Sequence, residues 1–135
     1  MQLFEALSEV PARLNWASRF TILSGLAYMA SGLLLLAWPG AVQVLFGDPA
    51  FAGREAALVR LLGMTVLVIG WLYVFGGRSG GRQFVAATVL DRIVVVPLVL
   101  VPLIVADVFP HTLAAFAALD PVLALTAWWL LARRV

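Results

Sequence analysis

The chain contains no cysteine, no lysine and a single histidine, and only 12% of its 135 residues are charged. The absence of cysteine excludes disulfides, thiolate metal sites and cysteine-ligated iron–sulfur clusters. One histidine cannot supply both ligands of a bis-histidine haem from a single chain. We therefore expect no metal ion and no cofactor, and the sequence identifies no catalytic residues.

Apolar residues are what the chain has in excess, at 64% of the sequence with a mean hydropathy of +1.05. These values lie far outside the averages for soluble domains. Because a spanning helix needs about 20 apolar residues, the chain has room for four spans and no separate soluble domain. We predict an all-α fold, a four-helix transmembrane bundle with a short N-terminal interfacial helix at residues 2–9. The predicted spans are residues 20–38, 54–75, 84–106 and 112–132.

The nine basic residues are all arginines, and their positions predict the orientation. The connections after the first and third spans contain no arginine, although Arg54 borders the former. Six arginines precede the first span, separate the second from the third, or follow the fourth: Arg13, Arg19, Arg78, Arg82, Arg133 and Arg134. By the positive-inside rule these regions are cytoplasmic. We expect a multi-pass protein of a bacterial inner membrane with both termini inside. The arginines form no basic face with interleaved aromatic residues, so nucleic acid is not an expected partner.

Glycines recur at seven-residue spacing in the first two spans, as Gly25 with Gly32 and as Gly63 with Gly70. Each pair therefore lies on one helix face. Small residues let backbones approach closely in lipid, and we expect these glycines to pack spans one and two together. The alternative is a notch that admits a lipid tail or a flat ligand.

Prolines interrupt the third and fourth spans. Pro97 and Pro102 each remove a backbone hydrogen bond, which should bend or widen the third helix. Asp120 and Pro121 resemble an N-cap followed by the first residue of a helix. Two interpretations stay open: a continuous span kinked at Pro121, which we prefer, or a separate surface helix over residues 111–119.

Two adjacent charges, Asp91 and Arg92, lie within the third apolar segment. Intramembrane ionisable residues usually face a partner, a cavity or a pathway. Arg92 is able to lean toward the cytoplasm, whereas the short Asp91 side chain must be protonated, be paired with an arginine of another span, or line a wet cavity. Counting residues from the span ends places Ser24, Tyr28 and Thr126 at the level of Asp91, and we expect them to be its hydrogen-bonding neighbours.

Arg60 lies about 9 Å inside the outer end of the second span, at 1.5 Å per residue. Its side chain either reaches back to the outer surface or pairs with a ligand or another helix. Tyr73, near a span end with Trp71, is interpreted as an interface anchor. Asp48, Asp107, His111 and Asp120 are interpreted chiefly as capping or solvated residues of the outer side.

Several short motifs resemble the small four-span bacterial membrane proteins of the DoxX-like or BphX-like kind. They are Leu61-Leu-Gly63, Gly70-Trp-Leu-Tyr73, Asp91-Arg92, Phe116 to Pro121, and Arg133-Arg134. The resemblance covers roughly residues 19–134. It implies association with quinone-linked sulfur oxidation as a membrane subunit. Because this chain has no cysteine, it has no residue to carry a thiol-based redox role.

Three functions are compatible with these features. The first is a non-enzymatic accessory protein whose glycines and third-span charges dock other membrane subunits or a second copy in the lipid bilayer. The second is a binder or carrier of a small lipophile, a quinone or a lipid, with Asp91 and Tyr28 as polar contacts. The third is a proton-coupled exporter that uses Asp91 and acts as an oligomer.

Overall fold

The computed structural model describes residues 2–133, and it confirms the all-α fold class: no strand occurs within these residues. These described residues form seven α-helices and one five-residue π-helical segment, joined by short connections. In order they are α1 (Gln2–Ser8), α2 (Trp16–Ala37), α3 (Ala41–Phe46), α4 (Glu55–Arg78), α5 (Arg82–Leu90), the π segment (Asp91–Val95), α6 (Val96–Val105) and α7 (Pro110–Ala132).

Four of these stretches are long and apolar enough to cross a membrane: α2, α4, the run from α5 through the π segment to α6, and α7. They contain 22, 24, 24 and 23 residues, and at about 1.5 Å per residue each exceeds a hydrocarbon layer of about 30 Å. Large apolar side chains cover much of the outside of the bundle, while several polar side chains are buried within it. The chain is therefore built as a multi-pass integral membrane protein.

Local capping explains where α2 begins. Asn15 precedes the helix in an extended conformation, and its Oδ1 accepts a hydrogen bond from the Ser18 N–H at 2.7 Å. This satisfies one of the N–H groups that the first turn of a helix leaves free. The helix consequently starts at Trp16, before the predicted span. Ahead of it, α1 exposes its apolar residues Leu3 and Phe4, as expected for a helix that lies on a membrane surface.

The closest helix pair is α2 with α4, and glycines line its contact. A Cβ atom built on Gly32 would lie 2.6 Å from the Gly63 carbonyl oxygen, and one on Gly25 would lie 2.7 Å from the Gly70 carbonyl oxygen. Real Cβ atoms do not approach backbone this closely, so only glycine permits the contact. The α4 backbone fills the notch, and the alternative of a lipid tail between these glycines is wrong.

The third span contains a widened turn immediately before Pro97. In the π segment the Val96 N–H bonds to the Asp91 carbonyl, five residues back rather than four. A proline lacks an N–H, and its ring clashes with the carbonyl four residues earlier, which here belongs to Ile93. The wider turn relieves this conflict, and α6 then continues through Pro102 to Val105. The widening that the prolines predict is therefore present.

The start of α7 is capped from a distant loop. Phe109 precedes the helix with a left-handed backbone and no side-chain cap of its own. Asp48, which is buried, accepts hydrogen bonds from the His111 N–H at 2.9 Å, the Thr112 N–H at 3.0 Å and the Thr112 hydroxyl. One carboxylate thus satisfies two free N–H groups of the first turn. With this cap, α7 is one continuous helix through Pro121, and residues 111–119 belong to it.

Replacing Gly32 with alanine should lower the free energy of unfolding by about 1–3 kcal/mol, since overpacking a close contact costs this much. Denaturant unfolding of the purified chain in lipid bicelles measures the change. Gly81→Ala is the control, because a Cβ there meets nothing closer than 3.4 Å. Equal stability of the two variants would contradict a close α2–α4 contact at Gly32.

Replacing Asp48 with asparagine should cost about 1–2 kcal/mol of unfolding free energy, because an amide offers one acceptor oxygen to three donors. The matched control is Asp107→Asn, which removes a charge from an exposed position at the same end of the bundle and should change stability by less than about 0.5 kcal/mol. The same unfolding assay compares them. If both substitutions are neutral, Asp48 does not cap α7.

Candidate functional site

Polar side chains from all four spanning stretches meet inside the bundle. They are Tyr28 of α2, Tyr73 of α4, Asp91 and Arg92 of the π segment, and Asp120 of α7. All five line a single cavity. We call them the polar cluster.

Each carboxylate of the polar cluster accepts a hydrogen bond from a tyrosine across the bundle. The Tyr28 hydroxyl donates to Asp120 Oδ1, and the Tyr73 hydroxyl donates to Asp91 Oδ2 at 3.3 Å. The two tyrosine rings lie edge to face, with centroids 5.6 Å apart and planes at 84°, which is a favoured aromatic geometry. The acids of the third and fourth spans are thus tied to the first and second.

Arg92 is the most deeply buried member, with 1% of its surface exposed. Its Nε donates to the Thr88 carbonyl and its Nη2 to the Thr88 hydroxyl, each at 3.0 Å. Its Cζ lies 5.0 Å from the centroid of the Tyr73 ring, within range of a cation–π interaction. The third nitrogen, Nη1, is buried and has no hydrogen-bond partner in the described part of the chain.

No ion pair neutralises this arginine within residues 2–133: no carboxylate oxygen there lies within 4.0 Å of its nitrogens. Asp91 is its neighbour in sequence, yet the Asp91 carboxylate bonds to Tyr73 instead. Breaking or omitting a partner for a buried charge is costly. Arg92 Nη1 is therefore a buried donor whose hydrogen bond is not made, which costs stability.

The cavity has a volume of about 160 Å³ and lies between α4 on one side and the π segment, α6 and α7 on the other. Unlike α2 and α4, the α4 and α6 backbones do not form a close pair, and the cavity occupies the space between them. Apart from the polar cluster and Thr65 its walls are apolar. They include Leu62, Val66, Val96, Leu100, Leu113 and Phe116.

The structure brings together only some of the residues that the sequence singled out. Asp91, Arg92 and Tyr28 line the cavity. The wet cavity that was one of the three outcomes expected for Asp91 stays a prediction. Ser24 and Thr126 do not line it. Their hydroxyls bond to carbonyls of their own helices, Phe20 at 3.0 Å and Val122 at 2.8 Å.

Arg60 also lies outside the cluster. Its side chain is exposed on α4, and it does not line the cavity. This placement fits the interpretation in which the long side chain reaches back toward the outer surface. The four glycines, Gly25, Gly32, Gly63 and Gly70, are buried in the α2–α4 contact described above.

Two members of the polar cluster were misassigned from the sequence. Tyr73 is not an interface anchor, because only 7% of its surface is exposed and its hydroxyl contacts Asp91. Asp120 is not a helix cap, because α7 has already begun at Pro110, and Asp120 is buried against Tyr28. The position of Asp120 within an apolar stretch was the signal that it is buried in the bundle. Pro121, which follows it, favoured instead the incorrect interpretation of Asp120 as a helix cap.

Comparison of this chain with protein-family models, with curated proteins and with solved structures finds no match. The chemistry of the cavity therefore rests on its own residues. An apolar space with a few convergent polar groups is the usual form of a small-molecule site. Here the apolar walls would hold a hydrophobic body, and the polar cluster would fix its orientation.

The Tyr28–Asp120 hydrogen bond should show a measurable coupling. In a double-mutant cycle of Tyr28→Phe and Asp120→Leu, the double variant should be more stable than the sum of the single effects by about 0.6–1.7 kcal/mol, as for other interhelical hydrogen bonds in membranes. Unfolding in bicelles measures all four forms. The control cycle pairs Asp120→Leu with Thr126→Val, whose hydroxyl bonds within α7. Equal coupling in both cycles would contradict a specific Tyr28–Asp120 bond.

Proposed function

We propose that this membrane protein binds a small lipophilic molecule in the cavity between α4 and α6. The observation that carries the proposal is the buried polar cluster at the wall of an otherwise apolar space. In a membrane interior, ionisable side chains that face a cavity mark sites for ligands or ions. The ligand would enter from the bilayer beside α4, because Thr65 and Ile69 belong both to the cavity wall and to the exposed surface of that helix.

The accessory-subunit hypothesis finds less support in the same residues. It requires glycine faces and third-span charges that dock other helices. In this chain the glycines are already engaged between α2 and α4, and Asp91 and Arg92 turn to the cavity. A subunit role would therefore need a different docking surface. Kinship with the DoxX-like proteins would combine both roles, as a subunit that carries a quinone, and this too is a proposal.

For the orientation we propose that both termini are cytoplasmic, in a bacterial inner membrane. The alternating direction of the four spanning stretches brings the start of α2, the end of α4, the start of α5 and the end of α7 to one end of the bundle. Arg19, Arg78 and Arg82 lie at that end, whereas the other end holds Asp48, Asp107 and one arginine, Arg54. This asymmetry of arginine is the basis of the positive-inside rule.

Native mass spectrometry of the chain extracted from the membranes of its own cells tests the binding function. Val66→Phe should fill the cavity, because Val66 lines it. Val68→Phe is the matched control, since Val68 is on the same helix but 50% exposed and outside the wall. We expect a small molecule bound to wild type and to Val68→Phe, and its loss from Val66→Phe. Wild type without any bound molecule, or equal retention by both variants, would contradict the proposal.

A further inference from the structure

An open groove lies between α5 and α7 on the outside of the bundle, and it shares no wall residue with the cavity. Six residues form its walls: Ala86, Val89, Leu90, Ile93, Trp128 and Leu131. None of them is charged, and Ala86, Leu90 and Trp128 are exposed. The volume of the groove is about 450 Å³, within the roughly 300–1,000 Å³ that is usual for ligand sites. Its occupant therefore comes from the bilayer and is apolar where it touches the walls.

The groove runs inward from one surface of the membrane. α5 begins at Arg82, and at about 1.5 Å per residue Ala86 lies about 6 Å and Ile93 about 16 Å further along the helix. Because the hydrocarbon layer is about 30 Å thick, Ile93 lies near its middle. Trp128 is a wall residue near the end of α7, and tryptophan is enriched at the level of lipid headgroups. A flexible apolar chain that starts at the surface and ends near the midplane fits this path, as a lipid acyl chain does.

Arg82 stands at the surface end of the groove. Its Nη2 donates a hydrogen bond to the carbonyl oxygen of Leu131, a wall residue, at 3.1 Å. The arginine is exposed, and a guanidinium has five N–H donors in a planar fork. The bond to Leu131 uses one of them. The others are available to the oxygens of a phosphate, for which this fork is well suited.

The charge near the groove decides which kind of headgroup fits. Residues 79–90 and 121–133 contain arginine but no aspartate or glutamate. The ammonium group of a zwitterionic headgroup would therefore find no carboxylate on these stretches, whereas a headgroup of net negative charge is attracted to Arg82. Basic residues between spanning helices at a membrane surface bind acidic lipids in the same way.

We infer that the groove between α5 and α7 binds an anionic phospholipid, with one acyl chain along its walls and the phosphate at Arg82. This site is separate from the cavity, and it does not depend on the proposed function. The bound lipid would contact both α5 and α7 at the end of the bundle where Arg82 already joins them.

Native mass spectrometry of the full chain, freed of lipid and titrated in one detergent, tests the headgroup. The probes are dioleoylphosphatidylglycerol and dioleoylphosphatidylcholine, which have the same acyl chains and differ in net charge. We expect wild type to bind its first phosphatidylglycerol about fivefold more tightly, since one arginine at a membrane surface contributes about this much toward an acidic lipid. Arg82→Gln keeps a hydrogen-bond donor without the charge and should bind both lipids equally.

Arg133→Gln is the matched control for the headgroup. Arg133 is an exposed arginine at the same end of the bundle, but its guanidinium packs on Trp129, with Cζ 3.5 Å from the ring centroid. Trp129 is not a wall residue of the groove. The Arg133→Gln variant should therefore keep the preference for phosphatidylglycerol.

Two phenylalanine variants test the position of the acyl chain. Ala86→Phe puts a ring into the groove, whereas Ala87→Phe puts the same ring on the exposed surface of the same helix, outside the walls. We expect Ala86→Phe to bind phosphatidylglycerol about threefold more weakly or worse, because dispersion contacts between chain and walls are lost. Ala87→Phe should bind like wild type. If Ala86→Phe does not fold, as judged by circular dichroism, the substitutions of the two exposed arginines decide alone.

Several outcomes would overturn the inference. Equal binding of the two lipids by wild type is one, and an unchanged preference in Arg82→Gln is another. An equal loss of preference in Arg82→Gln and Arg133→Gln would show a diffuse attraction to the arginine-rich end instead of a site. Equal affinities of Ala86→Phe and Ala87→Phe would place the chain elsewhere. A wild-type dimer that Ala86→Phe dissociates would assign the groove to a second copy of the chain.

The two proposals are told apart by the variant that fills the cavity. Val66→Phe changes a wall residue of the cavity and none of the groove. It should therefore keep the preference for phosphatidylglycerol whether or not the cavity binds a ligand. Loss of the preference in Val66→Phe would contradict a lipid site at the groove.

Discussion

Burial of Arg92 inside a lipid-facing bundle is the constraint on which the interior depends. A guanidinium cannot release its proton in a protein, so its donors must find acceptors within the chain. Thr88 accepts two of its hydrogen bonds, and the Tyr73 ring lies close to the charge. The third nitrogen is buried without an acceptor among residues 2–133, and Arg92 forms part of the cavity wall. An interior of apolar side chains alone would be simpler, which makes the retained charge informative.

The glycine contact between α2 and α4 explains why this space exists where it does. Because no side chain separates them at Gly25 and Gly32, these helices form a close unit. The fourth helix, α7, packs against α5 and α6 and also contacts α2. Four helices of unequal spacing cannot all be in close contact, and the gap falls between α4 and α6. Small residues on one helix face thus draw α4 toward α2, on the side away from α6.

Much of the fold was predictable because hydropathy depends on local composition. The four apolar stretches and the glycine faces could be read directly, and the charges Asp91 and Arg92 marked the third span. The residues that complete the cluster could not be derived in this way. Tyr73 belongs to the cluster because of how α4 is rotated about its axis. Asp120 belongs to it because α7 starts well before it, and that start is set by Asp48, which bonds to His111, 63 positions away in sequence. The depth of each residue was also estimated for straight α-helices. The π turn was not included, and it changes which helix face each residue after Asp91 lies on.

The tyrosine donors and the carboxylate acceptors of the polar cluster come from different parts of the bundle, and this bears on ligand binding in the cavity. Both tyrosines belong to the glycine-packed α2–α4 unit, whereas both acids and the arginine belong to the stretches that follow. The two hydrogen bonds therefore join a closely packed half of the bundle to a half that contains a π turn and four prolines. A ligand in the cavity would lie along this junction, between α4 and α6. Its binding would add contacts between the two halves, so stabilisation of the bundle and occupation of the cavity should be coupled.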